Sequence, residues 1–460
     1  MDIFSQDKNV KENQWHAKFK LLKEDPLQDG ERNILNEWVE GLVDRDHNMI
    51  EKFQKTFHSS FWEFYLYACF KKLGFSMDQT HNRPDFMITA PIKMNVEAVV
   101  SNIKNMGRPE STRNLEDLMD AFVPPIEQED FVEVQREAVI RQSNAINTKA
   151  NKYMKEYSKI QWVDEDVPFV IALSSYSQVN YGREYIYPMM TLLYGMEYCP
   201  VSDDYRNIEY IIKPETNAQI KVGLFNTEQY KHVSAVLYSC STTLGKLTAL
   251  SKSEGNFCID TVWEIRRDYE DISIPYKLQE VNSINPELLT DGLFVFHNPN
   301  AAHKLNPSIF KNTNIVQYFF ENGKIIHNSK EPHLVCRLKY PYMLNSAFQI
   351  LIQEYIRQYN RINPIEFYSI MPYRKIKVDF EKECLVCIWI EAQEFLGLGN
   401  LHYKRNNILK DDFLEKEAEY EVKRLENYKS PIHGNIRRID IIRSELQFEM
   451  INKSNVVKCK

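Results

Sequence analysis

Glu63, Asp85 and Glu97 fall within one stretch, Phe57 to Val100, and three carboxylates this close in sequence can assemble a divalent-cation site. Mg²⁺ prefers hard oxygen ligands and is usually held by one or two carboxylates with water and substrate phosphate. Asp85 opens the run PDFMITA, and Glu97 lies in NVEAVV. Side chains alternate along a strand, which puts Asp85, Met87 and Thr89 on one face of the first run and Asn95, Glu97 and Val99 on one face of the second. A tight hairpin centred on Pro91 pairs residues whose numbers share one sum, so 85 opposes 97 as 89 opposes 93. Opposed side chains have Cβ atoms roughly 5 Å apart, and like charges so placed repel. A divalent cation resolves the conflict.

Glu63 must be delivered by the helix ahead of this hairpin. In FHSSFWEFYLYACFKKLGF the residues Phe61, Trp62, Phe64, Tyr65, Leu66, Tyr67, Ala68, Phe70 and Leu73 leave no polar stripe before Lys71 and Lys72, which predicts a helix buried all round. An ionised Glu63 is costly there unless it is paired, hydrogen-bonded or bound to a cation. Ser60-Phe-Trp-Glu63 also has the spacing of a capping box, in which Glu63 would only complete a helix start.

A helix glutamate (Glu63), Pro84-Asp85 opening a strand and Glu97 on the next strand together resemble the PD-(D/E)XK nuclease superfamily. The segments DRDHNMIEKFQKTFHSSFWEFYLYA, RPDF, VEAVVSN, NAINTKANKY, DVPFVIALS, HVSAVLYSCSTTLGK and HNPNAAHKL are similar to a group of bacterial proteins predicted to be nuclease-like in this sense, over about residues 35 to 305. The resemblance implies a restriction-endonuclease-like α/β core and metal-dependent phosphodiester hydrolysis. It also implies Mg²⁺ or Mn²⁺ held by Asp85 and Glu97, with Glu63 completing the shell or orienting a water. The chain departs from the family at position 99, where Val99 replaces the lysine expected two residues after the glutamate. Some members carry that lysine on the following helix, and NAINTKANKY offers Lys149 and Lys152. The apolar stripe Val139, Ile146, Ala150, Tyr153, Tyr157 and Ile160 sets Lys149 on its edge, at heptad spacing with Gln135 and Gln142, and Lys152 on the outer face. Lys149 is therefore the fourth candidate catalytic residue; a solvated lysine on a helix flank is its other reading.

The chain has 460 residues, a formal charge of -7 and hydrophobic content of 43%, which together predict a globular protein of two to three domains. The net charge weighs against a sequence-independent nucleic-acid coat, although a local basic groove remains compatible with it. No apolar leader opens MDIFSQDKNVKENQ and no run of about 18 apolar residues follows, so the expectation is a cytoplasmic protein without a membrane span. Its eight cysteines are scattered, and Cys384 and Cys387 have no second metal-binding pair. TTLGKLTALSKSEG has the flavour of a phosphate loop but lacks the G-x-x-x-x-G-K-[ST] spacing, which argues against an ATP site.

The expected organisation is a helical N-terminal region (1–56), a nuclease-like core (57–204), a β-rich domain (205–330) and an α+β C-terminal domain (331–460) in which DDFLEKEAEYEVKRLENY reads as a polar helix. A long connector from Asn102 to about Gln128 reads as a loop over the site or, in its LEDLMD run, as a surface helix. The expected function is a nuclease acting on DNA, in bacterial defence against foreign DNA by analogy with the fold class. RNA is a substrate the sequence does not separate from DNA. The alternative is a nuclease-fold scaffold without chemistry, binding a partner protein or forming a homo-oligomer through its C-terminal domain.

Overall fold

The computed structural model describes residues 2–342 except 105, 115, 116, 118, 119, 177, 215, 272 and 330, and beyond 342 residues 352, 353, 355–361 and short strand segments between 375 and 458. The LEDLMD run lies largely outside the described residues. The chain divides into two units, Met1–Lys339 and Tyr340–Lys460.

In the first unit the principal helices are α1 (Ala17–Glu24), α2 (Asp29–Trp38), α3 (Met49–Lys55), α4 (Phe57–Lys72), α5 (Phe131–Lys155) and α6 (Leu244–Ser253). Its principal strands are β1 (Ser76–Asp78), β2 (Phe86–Ala90), β3 (Met94–Val100), β4 (Phe169–Ser174), β5 (Ala235–Ser239), β6 (Asp260–Arg267), β7 (Tyr276–Glu280), β8 (Phe294–His297), β9 (Val316–Glu321), β10 (Lys324–His327) and β11 (His333–Pro341). Eight of them form one mixed sheet in the order β1-β2-β3-β4-β5-β8-β9-β10, and β7-β6-β11 form a second. The central strands β3, β4 and β5 run parallel, and their near-continuous apolar sequences are those of strands buried on both faces.

Helix α4 has no polar stripe because it is covered on two sides. Towards α2 and α3, Phe57 stacks on Phe53 at 5.1 Å and Phe61 meets Trp38 at 5.5 Å. Towards the sheet, Phe70 meets Phe86 edge-on at 5.3 Å and Trp62 Nε1 donates to the Ala172 carbonyl at 2.9 Å. Phe86, Ile88, Met94, Val96 and Ala98 share this core, so alternation turns Asn95 and Glu97 to the opposite face, where α5 lies. Its expected stripe is buried at Val139, Ile146, Ala150, Tyr153 and Tyr157. Tyr153 stacks on Phe169 of β4 at 3.8 Å.

Two expectations about organisation change. Residues 205–330 do not form a separate β-rich domain: β5, β8, β9 and β10 continue the sheet begun by β1 to β4, inside one compact unit. The helical N-terminal region, residues 1–56, packs on the core as expected, with Phe19, Leu22, Ile34 and Trp38 around α4. In the second unit, Glu421–Leu425 is a strand paired with Arg438–Ile442 where a polar helix was expected. Helical i,i+4 charge pairs contribute only about 0.2–0.5 kcal/mol each, so strand pairing readily outweighs them.

Candidate active site

Helix α4 begins at Phe57, after Thr56, so Ser60 lies inside the helix and not at its cap. This removes the capping-box reading of Glu63. The carboxylate is half-buried among fully buried neighbours, and among the described residues no group donates a hydrogen bond to it.

The hairpin has the expected register: Phe86 pairs with Val96, Met87 with Asn95 and Ile88 with Met94, which puts Asp85 across from Glu97 just outside the ladder. The two are tied by backbone as well as by position. The Asp85 amide donates to Glu97 Oε2 at 3.3 Å, and the Ala98 amide donates to Asp85 Oδ2 at 2.8 Å. Arg45 reaches in from the loop before α3 and donates to the Asp85 carbonyl at 2.9 Å and to the His81 carbonyl.

Glu97 is 2% exposed, and its other oxygen accepts from Lys149 Nζ at 2.7 Å and from the Tyr157 hydroxyl at 3.3 Å. Lys149, on α5, thus stands against the Asp85–Glu97 pair. Lys152 faces elsewhere, its ammonium 5.0 Å from the centre of the Tyr157 ring. Gln142 and Gln135, aligned with Lys149 along the helix, are drawn to Tyr238 and to the Glu184 carbonyl instead. Arg45 and Tyr157 were not among the sequence candidates. Tyr157 was visible there only as a member of the apolar stripe, and its hydroxyl is the feature that could have marked it.

The electrostatics of the group are those of buried carboxylates that press on one another. Burial, and then the charge of Asp85, push the Glu63 carboxyl up to about 8, against the pull of Lys52, Lys149 and Arg45. Burial and Glu97 push Asp85 up to about 6, against Lys149, the Ala98 amide and Arg45. Burial pulls the Lys149 ammonium down, but Glu97 and Asp85 outweigh it and hold the ammonium above its ordinary value. Lys149 makes the direct ion pair with this group, and a divalent cation would allow its carboxylates to ionise together. The donors are all carboxylate oxygens, the ligand type that suits Mg²⁺ or Mn²⁺.

A second group contrasts with this one. The ligand atoms of His16, His58 and Glu110 lie within 4.8 Å of one another. Here the single carboxylate is already neutralised: Lys18 Nζ donates to Glu110 Oε2 at 2.6 Å, and His58 Nε2 bonds Oε1. His16 Nδ1 accepts from the Lys18 amide at 3.2 Å. Burial lowers both imidazoles, His16 to about 4. Burial alone would raise Glu110, but His58 and Lys18 outweigh it and bring the carboxyl down to about 2. The cluster is a closed ion-pair network, assembled from three distant segments that no local motif connects.

Comparisons of the chain with protein-family models, with curated proteins and with solved structures give no match. Among the described residues no helix is long and apolar enough to cross a membrane.

Proposed function

We propose that the chain is a metal-dependent nuclease whose region from α4 to β4 is a restriction-endonuclease-like core of the PD-(D/E)XK type. What supports the fold reading is the order of elements: a buried helix, a three-stranded meander, a long helix and a strand added parallel to β3. The observation that carries the functional reading is the 2.7 Å contact between Lys149 Nζ and Glu97 Oε1, which joins a lysine to the Asp85–Glu97 pair despite Val99.

In this reading Asp85 and Glu97 would hold Mg²⁺ or Mn²⁺, and Glu63, with no hydrogen bond among the described residues, would orient a water or complete the shell. A bound divalent cation supplies Lewis-acid stabilisation of charge on a scissile phosphate. Lys149 keeps its proton at Nζ and presents a positive charge to the phosphate, the kind of preorganised electrostatic group that lowers a hydrolytic barrier. Glu97 fixes where that lysine stands, and the Tyr157 hydroxyl donates to the same Glu97 oxygen. Arg45 holds the Asp85 backbone, and with it the strand end, in place.

The test is cleavage of labelled double-stranded DNA, single-stranded DNA and RNA with Mg²⁺, Mn²⁺ or EDTA, comparing wild type with Asp85→Ala. Metal-dependent cleavage lost in the variant is the expected result and names the substrate class. Folded proteins equally inert on every substrate would replace this reading with a non-catalytic scaffold.

A further inference from the structure

Strand β5 ends at Ser239, where the sheet changes from parallel pairing with β4 to antiparallel pairing with β8, and the chain turns through Cys240–Thr243 into α6. Ligands of open α/β sheets bind outside the carboxyl ends of strands, where topology switches. A cleft of about 260 Å³ opens there, lined among others by Lys18, Arg113, Arg337, Lys339, Ser241 and Gly245. Four cationic side chains line it and no carboxylate does.

Three of the cations are held from behind. Lys18 bonds Glu110, Arg337 pairs with Glu287 and donates to the Ser241 carbonyl at 2.7 Å, and Lys339 lies 2.8 Å from Asp260. Behind Arg337 lies a buried group in which Lys246 and Arg337 meet Glu287, and Arg266 meets Glu264 at 2.7 Å and Asp291 at 2.6 Å.

Arg113 differs from the other three. Its guanidinium lies 4.0 Å from the centre of the Tyr181 ring, and among the described residues no carboxylate pairs with it. Its guanidinium donates to the Tyr181 carbonyl at 3.4 Å, and its Nε is buried without a hydrogen-bond partner. The positive end of the ten-residue helix α6 lies at the same cleft. Lys246 takes no part, being turned inward to Glu287 and the Leu288 and Asp291 carbonyls.

We propose that this cleft binds the phosphate groups of a diphosphate-sized anion. Three of the four cations already keep a carboxylate at their backs, and the Arg113 guanidinium, a planar fork of the kind that matches phosphate oxygens, stands with the helix N-terminus to meet the anion. The volume of about 260 Å³ is ample for a pyrophosphate group. A nucleotide would project its base and sugar outside. The phosphates can come from a free nucleotide or from the 5′ end of a nucleic acid. None of Glu63, Asp85, Glu97 or Lys149 lines the cleft, so the proposal stands apart from the nuclease reading.

The test is calorimetric titration of the full-length, metal-free protein with pyrophosphate, ADP, and 5′-phosphorylated and 5′-hydroxyl oligonucleotides. Arg337→Ala is avoided because it would break a buried ion pair. Arg113→Ala removes the unpaired cation from a half-buried position. Gly245→Asp places a carboxylate in the cleft, and its added Cβ would meet only Arg337 Cδ at 3.4 Å and Thr243 Oγ1 at 3.5 Å. Pyrophosphate should bind at one site, weakened at least tenfold (about 1.4 kcal/mol) by Arg113→Ala. Gly245→Asp should abolish binding without lowering the melting temperature, and Asp85→Ala should leave it unchanged. ADP binding as tightly as pyrophosphate assigns the phosphates to a nucleotide. A preference for the 5′-phosphorylated strand that disappears in Arg113→Ala assigns them to nucleic acid. No binding of pyrophosphate at millimolar concentration, or binding indifferent to both cleft variants, overturns the proposal.

Discussion

Replacing Glu63 by glutamine tests the charge balance of the carboxylate site while keeping its shape. In the folded protein the Glu63 carboxyl is raised from its ordinary 4.5 to about 8, first by burial and then by Asp85, with Lys52, Lys149 and Arg45 opposing. In the unfolded chain it titrates at its ordinary value. A group raised in the folded state contributes its stability in full below the unfolded value and loses it as pH rises through the folded one, here between 4.5 and about 8. That interval corresponds to about 5 kcal/mol at about 1.4 kcal/mol per pH unit. Water at the half-buried carboxyl reduces the expected effect to about 2–3 kcal/mol. Urea unfolding of metal-free protein, followed by tryptophan fluorescence, reads it directly. At pH 5 wild type and Glu63→Gln should differ by less than about 0.5 kcal/mol, and at pH 9 the variant should be the more stable by about 2–3 kcal/mol. Mg²⁺ should narrow the gap by stabilising wild type more than the variant. A variant less stable than wild type at pH 9, or two proteins losing stability in parallel from pH 5 to 9, would refute the reasoning.

Three further outcomes are expected. Lys149→Met should lower cleavage by about a hundredfold or more while Lys152→Ala leaves it near wild type, measured in parallel on one substrate. Tyr157→Phe leaves Lys149 on Glu97 and removes one hydrogen bond, so urea unfolding should show a loss of about 1 kcal/mol. Glu110→Gln should cost about 3 kcal/mol at pH 7, because the Glu110 carboxyl is lowered from 4.5 to about 2. That stability is present above 4.5 and lost as pH falls through about 2, so wild type and Glu110→Gln should converge in acid, as seen by circular dichroism.

Much of the carboxylate site was legible because its parts are local. The β2–β3 register followed from alternation and a turn at Pro91, and a one-residue slip would have moved Asp85 and Glu97 to the wrong face. The choice of Lys149 over Lys152 followed from the 3.6-residue period, since only one of them can flank a buried stripe and still reach the strand. The boundary at 204/205 failed for the opposite reason. Strands β5 and β8 have the same local sequence whether they start a new sheet or extend an old one, and neither periodicity nor turn chemistry records the partner.

Helix α4, the paired strands that oppose Asp85 and Glu97, and the helix face that carries Lys149 each rest on spacing within a few residues and can be read from local pattern. That Ser60 does not cap α4 for Glu63, that Arg45 and Tyr157 reach the carboxylates, and that Lys18, Arg113, Arg337 and Lys339 line one cleft follow from the packed chain alone. Those meetings join residues far apart in the chain. They depend on which faces bury against which, and burial is a property of the assembled core that no segment carries alone.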